Sequence, residues 1–312
     1  MLSVKVRRHL LTIMKKKFTS LLLVLLFALP ALAQQFEYDG LWYNVIDEEA
    51  KLCAVAYTSS VKGDLTIPAT AYNDGNVYSV IAIQSGALNY TDLTSVVLPE
   101  SVTTIGASAF RGCFSLTSVI LPASVTTIGA SAFSGCFSLT SVVIPDGVTV
   151  LAESVFSDCK SLTSIIIPKS VTVIENNAFN YCESLTSIVI PENVTTIQQS
   201  AFFLCLSLTS IYYYAENLTK APFNTFSDYT YENATLYLRE SALNQALYIE
   251  PWSRFVNKNG VKVGVEGIAA NADVPVEVYN LGGVKVANST DDLPTGVYVV
   301  RQGKEVRKIS VK

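Results

Sequence analysis

The chain has 312 residues, half of them apolar and only 15% charged, with a formal net charge of −4. Its 22 Lys+Arg are outnumbered by 26 Asp+Glu, which excludes nucleic acid as an expected partner, because phosphate neutralisation needs clustered cations. The one histidine, His9, confines imidazole chemistry to the extreme N-terminus.

The first predicted element is a leader. Lys15-Lys16-Lys17 precedes an apolar run from Leu21 to Leu29, then Pro30 and Ala31-Leu32-Ala33. This order predicts a secretory signal peptide over residues 1–33, cut after Ala33, with Met14 as the true start. The run is shorter than the about 20 apolar residues of a membrane span. Gln34 rather than cysteine follows the cut, which argues against a lipid anchor. Cleavage removes six of the 22 basic residues and none of the 26 acidic ones, leaving 16 against 26 and a formal charge near −10. It also removes His9, and with it Ser-His-Asp or Cys-His catalysis, His-ligated zinc and a histidine pH switch.

Residues 34–92 read as an N-terminal cap with degenerate repeats. Leu65-Thr66-Ile67-Pro68 and Val80-Ile81-Ala82-Ile83 echo two strands of the later unit, separated by a hairpin turn at Asn73-Asp74-Gly75. From Leu93 a 23-residue unit is written five times, opening at Leu93, Leu116, Leu139, Leu162 and Leu185 and closing at Cys113, Cys136, Cys159, Cys182 and Cys205. A period of this length marks a stacked array whose units cannot bury their apolar faces alone. In the unit from Leu116 to Ser138, the L-x-x-L-x-L spacing predicts a short strand with Val119 and Leu121 inward, ended by Pro122, which has no N–H to donate. Val125 to Ile128 predicts a second extended segment, Gly129 permits a turn, and Phe133 plugs the interior. Phe110, Phe156, Phe179 and Phe202 stand at the same place in the other copies. The repeats are expected over 93–211 and a C-terminal cap over 212–259, with Ala234 to Leu238 a strand and Trp252 a plug.

Two columns invite chemistry. The cysteines suggest disulfides or a metal, and neighbouring α-carbons about 5 Å apart fall within the disulfide range. Yet stacked side chains run parallel, five is an odd number, and no C-x-x-C pair exists, which favours structural thiols; Cys53 belongs to the N-terminal cap. The second column faces outward. Serine recurs as Ser95, Ser118, Ser141, Ser164, Ser187 and Ser210, beside Val97, Ile120, Val143, Ile166, Val189 and Tyr212. An exposed row of aliphatics marks an interaction surface; alternatively, β-branched residues occupy it because they favour strands. The ligand-face reading takes these twelve residues as the candidate site, with no catalytic or metal residue.

The unit L-T-S-[IV]-x-[IL]-P-x-x-V-T-x-[IL]…A-F…C-x-S, with Leu41-Trp42-Tyr43-Asn44-Val45-Ile46 before it, resembles the BspA-type (Treponema-type) leucine-rich repeat surface proteins over roughly residues 36–259. The resemblance implies a mainly β leucine-rich repeat solenoid of 23-residue repeats and adhesion to host or bacterial surfaces, with no family-wide catalytic residues. Residues 264–312 form a separate module. Its Val276–Val286 alternation about Gly282-Gly283, followed by Leu293–Val300 and Val306–Lys312, resembles the C-terminal sorting domains of type IX secretion substrates and implies a small β-sandwich. An accessory sandwich without a sorting role is the alternative.

The leading expectation is a secreted or cell-surface, non-enzymatic adhesin for protein or glycan ligands, with no cofactor. A structural envelope or biofilm protein without one ligand is the alternative. A two-carboxylate hydrolase is the third class; it would draw on Glu100, Asp146, Glu153, Asp158, Glu175, Glu183 and Glu192, most of them at variable loop positions.

Overall fold

A computed structural model of the chain describes residues 34–261 and, beyond them, the backbone of four short strands. The leader read at residues 1–33 lies outside the described residues. The cap begins with β1 (Gln35–Tyr38), β2 (Leu41–Asp47) and β3 (Leu52–Val55), paired antiparallel in sequence. Next come β4 (Lys62–Thr66) and the hairpin of β5 (Thr70–Asn73) and β6 (Asn76–Ile83). Its two-residue turn is Asp74-Gly75, both at positive φ (46° and 79°), with Asn73 paired to Asn76. Positive φ at both central residues is what a tight hairpin with right-twisted strands requires.

From there the chain coils, and each coil lays one strand on a front sheet and a shorter one on a back sheet. The front strands are β7 (Asp92–Val97), β9 (Ser118–Ile120), β11 (Ser141–Val143), β13 (Ser164–Ile166), β15 (Ser187–Ile190) and β17 (Ser210–Tyr213). The back strands are β8 (Thr104–Ile105), β10 (Thr127–Ile128), β12 (Val150–Leu151), β14 (Val173–Ile174) and β16 (Thr196–Ile197). Pairing is parallel and in the register of the repeat: Ser95 lies beside Ser118, Ser141 beside Ser164, and Ser187 beside Ser210. The front ladder continues through β18 (Thr235–Arg239) and β19 (Asn257–Val261). The cap strands enter the same scheme, β4 pairing with β7 and β6 with β8. The molecule is thus a mainly β leucine-rich repeat solenoid.

The third side of each coil is a turn rather than a strand, yet it is bonded between coils as regularly as the sheets. Ser131, Phe133 and Gly135 N–H donate to Glu153, Val155 and Ser157 O at 2.8, 2.9 and 2.8 Å. The intervening N–H groups of Ala132, Ser134 and Cys136 close the turn internally. Every buried backbone donor needs a partner, and alternating them forward and inward requires left-handed residues. Ser108, Ser131, Ser154, Asn177 and Ser200 take φ of 55–57°, and Gly112, Gly135, Asp158, Tyr181 and Leu204 take 59–75°. The turn freedom expected at Gly129 is therefore located elsewhere. Gly129 is not left-handed; a Cβ there would stand 2.5 Å from Ala107 N, so this glycine permits the close approach of the preceding coil.

The interior is one continuous apolar core. Phe110, Phe133, Phe156, Phe179 and Phe202 stack at 5.2–5.6 Å with interplanar angles of 5–11°. Phe226 adds a sixth ring at 5.2 Å. It was not evident in the repeat because an insertion sets it 24 residues after Phe202. The short helix α1 (Asp228–Asn233) follows, N-capped by the Ser227 hydroxyl, which accepts from Thr230 N at 3.3 Å. Trp252 is fully buried against Tyr213 and Phe226, its Nε1–H donating to Thr219 O at 2.7 Å. It closes the core as the plug expected there.

The remaining strands, β20 (Val276–Asn280), β21 (Lys285–Ala287), β22 (Gly296–Gln302) and β23 (Glu305–Val311), form one antiparallel sheet in the order β21-β20-β22-β23. The Gly282-Gly283 turn and the other residues of 262–312 between and around these strands lie outside the described residues.

Candidate binding face

The outward side of the front sheet carries three columns, not two. In L-T-S-V the regular strand begins only at the serine, so the preceding threonine does not alternate inward. Thr94, Thr117, Thr140, Thr163, Thr186 and Thr209 are all exposed, whereas Ser95, Ser118, Ser141, Ser164 and Ser187 are half-buried. The threonine hydroxyls are tied into the array. Thr117, Thr140, Thr163 and Thr209 Oγ1 donate to the carbonyl one coil earlier at 2.9–3.4 Å. With the proton spent inward, each hydroxyl presents its acceptor lone pairs and its methyl to solvent.

In the aliphatic column Val97, Ile120 and Val189 are 38%, 36% and 39% exposed, and Val143 and Ile166 are half-buried. The column is thus accessible across five coils. At its last coil the expectation fails. Ser210 and Tyr212 are buried, at 6% and 8%, and are not part of the open face. Local alternation places them outward, but burial depends on what packs over them. At the opposite end Asp64 accepts from Thr94 Oγ1 at 2.7 Å and Ser95 Oγ at 2.6 Å. These hydroxyl donors hold its carboxyl below the usual range.

Sequence reasoning missed a second exposed row. Tyr90, Phe114 and Phe137 stand on the turn that leads into the front strands, with ring centroids 6.4 and 5.0 Å apart. Lys160 Nζ lies 5.8 Å from the Phe137 centroid and pairs with Glu183 at 3.0 Å. The aromatic residue after the cysteine in the first two copies was the available signal. Of the seven acids, Glu175 accepts from Glu153 N at 2.8 Å, and Glu192 pairs with Lys169 at 3.4 Å and Arg239 at 2.6 Å. These carboxylates are engaged in holding coils together. Among the described residues, no group of three or more His, Cys, Asp or Glu is arranged to hold a metal.

A model of the BspA type leucine rich repeat region matches in six copies over residues 81–209 and 153–245. The chain belongs to the BspA-type leucine-rich repeat family. Among solved structures it is similar to the T. pallidum leucine-rich repeat protein, at 23% identity over 73% of this chain and 100% of that one, with a TM-score of 0.54. It is also similar to a leucine-rich cell surface protein of Faecalibacterium prausnitzii A2-165, at 26% identity over 67% of this chain and 71% of that one, with a TM-score of 0.48. The T. pallidum likeness shows the shared solenoid fold. No curated protein matches the chain.

In this BspA-type array the cysteine column is structural. All six cysteines are buried and unlinked. Cys136, Cys159, Cys182 and Cys205 Sγ donate to Phe110, Phe133, Phe156 and Phe179 O, one coil back, at 3.1–3.3 Å. Cys113 donates to Leu88 O at 3.1 Å, and Thr91 occupies the column's place in the first coil, 3.3 Å from Cys113 Sγ. The thiols therefore bond coil to coil as well as filling space. Burial pushes Cys136, Cys159 and Cys182 upward and Cys53 up to about 11, so these four thiols offer no thiolate near neutrality. At pH 8 a thiol-reactive disulfide reagent is expected to modify less than one thiol per native chain and all six after denaturation. Rapid labelling of several thiols in the native protein would contradict this packing.

Proposed function

We propose that this chain is a non-enzymatic binding module, acting at the cell surface or outside the cell, that engages a protein or glycan on a host or bacterial surface. The front face carries the reading. Five coils present an accessible aliphatic row from Val97 to Val189, flanked by exposed threonines whose hydroxyl protons are already spent. Methyl groups and acceptor lone pairs at strand spacing, about 4.8 Å, suit an extended partner with apolar groups and N–H or O–H donors. The acidic balance of the chain favours a partner that is not itself strongly acidic. Membership in the BspA-type family supports a binding or adhesive role. The family reading also supports an extracellular or surface location, with residues 1–33 directing export and residues 264–312 serving surface sorting. Among the described residues no helix is long and apolar enough to cross a membrane.

The test is a panel of immobilised extracellular-matrix proteins, mucins and polysaccharides. Saturable binding to one class, with a Kd in the micromolar range or tighter, is the expected result. A flat response across all classes would return the chain to the structural envelope reading. Product release from any glycan would overturn the non-enzymatic reading.

A further inference from the structure

Three aromatic rings border the front face at its first coils. Tyr90, Phe114 and Phe137 are 61%, 50% and 39% exposed, at least as open as any member of the aliphatic row. Glycines shape the ground around them. Gly112 and Gly135 share a left-handed turn position with Asp158, Tyr181 and Leu204, which adopt it at 59°, so the turn alone does not demand glycine. Gly112 makes room for a ring instead: a Cβ there would stand 2.4 Å from Tyr90 Cδ1. The Tyr90 ring is thus laid against main chain, inclined at 63° to Phe114. At Gly135 a Cβ would meet nothing closer than 3.7 Å, which leaves bare ground beside Phe137. Phe114 and Phe137 precede the exposed Thr117 and Thr140 by three residues on the same coils, so rings and hydroxyls border one strip.

The hydroxyls select the partner. Thr94 Oγ1 donates to Asp64, and Thr117, Thr140 and Thr163 Oγ1 donate to the carbonyl one coil earlier, so the threonine column offers acceptors and no donor. A polypeptide strand presents N–H and C=O groups in equal number. Against this column its carbonyls would find no donor, and an unpaired acceptor is costly once buried. A saccharide hydroxyl rotates, donating to a threonine while its lone pairs stay toward solvent. The C–H faces of a sugar suit the negative faces of aromatic rings. The threonine, serine and aliphatic columns carry no charge from Thr94 to Val189, and at their margin Lys160 is matched by Glu183. Building on the binding role proposed above, we infer that the ligand is a neutral glycan, its sugar rings against Tyr90, Phe114 and Phe137 and its hydroxyls donating to Thr117 and Thr140.

The experiment measures binding of the full chain to immobilised β-glucan, mannan and xylan, to heparin and hyaluronan, and to mucin in native, desialylated and fully deglycosylated forms. Saturable binding to a neutral polysaccharide or to desialylated mucin, absent from the deglycosylated form, is the expected result. The Phe114→Ser/Phe137→Ser variant should lose at least ten-fold in affinity, and Tyr90→Ser should act the same way, with melting curves recorded for both. Phe223→Ser, which removes an exposed ring on the C-terminal cap, should bind as the wild type does. Binding that survives removal of the glycans, or that is confined to heparin and hyaluronan, would overturn the neutral-glycan inference and leave the binding role standing. Undiminished affinity in a folded variant of the aromatic row would overturn the inference as well. No binding to any probe would sink the inference together with the binding role.

Discussion

Phe156→Ala is expected to lower stability by about 3–5 kcal/mol, the cost of emptying a large, closed aromatic site. The ring is fully buried and stacked at 5.5 Å on Phe133 and 5.6 Å on Phe179, so its loss removes two stacking partners as well as apolar area. The site is poorly able to collapse, because the backbone on either side is pinned. Phe156 N–H donates to Ala178 O at 2.9 Å, and Phe156 O accepts from Cys182 Sγ at 3.2 Å. Each coil touches only its neighbours, so stability is a chain of nearest-neighbour couplings. Weakening the middle link should also broaden the transition or split it in two. Guanidinium denaturation followed by far-UV circular dichroism measures both effects. Phe114→Ala, on the half-open outer row, is the control and should cost under about 1 kcal/mol. A loss below about 1 kcal/mol for Phe156→Ala, with a transition as sharp as the wild type's, would contradict the stacked-core account.

The solenoid was legible because periodicity does the folding. Once Leu116, Val119, Phe133 and Cys136 recur every 23 residues, in-register stacking is the arrangement that buries all of them, and the ladder follows. Details that depend on backbone conformation were not legible. Tyr181 and Leu204 adopt left-handed φ although neither residue type favours it; the bonds between coils impose the conformation, and no local rule announces it. Strict alternation from Val119 correctly turned Ser118 and Ile120 outward. It gave no hint that Thr117 joins them, because the chain before Ser118 is not yet strand. The cysteines read correctly as core residues, but their bonds to phenylalanine carbonyls come from the stacking distance and not from the repeat. Tyr212 failed for a different reason: a strand pattern shows which way a side chain points and not what lies over it.

Charging the outward face is expected to have the largest functional consequence. In the variant Ile120→Glu/Val143→Lys/Ile166→Glu, charges replace three consecutive members of the aliphatic row. Opposite signs on adjacent coils limit the cross-strand repulsion that three like charges would introduce. All three side chains are exposed or half-buried, so the core is untouched and the melting temperature should move by only a few degrees. A partner seated on the row would lose apolar burial and meet desolvated charge at the centre of its contact. That loss is worth at least about 2.7 kcal/mol, or 100-fold in Kd. Val150→Glu, on the exposed back sheet, is the matched control. The deciding measurement is the binding isotherm of wild type, front-face variant and back-sheet control against whichever immobilised probe binds saturably, with melting curves recorded on the same samples. The front-face variant is expected to lose at least 100-fold in affinity while the back-sheet control binds as the wild type does. Undiminished affinity in a folded front-face variant would contradict the ligand-face assignment.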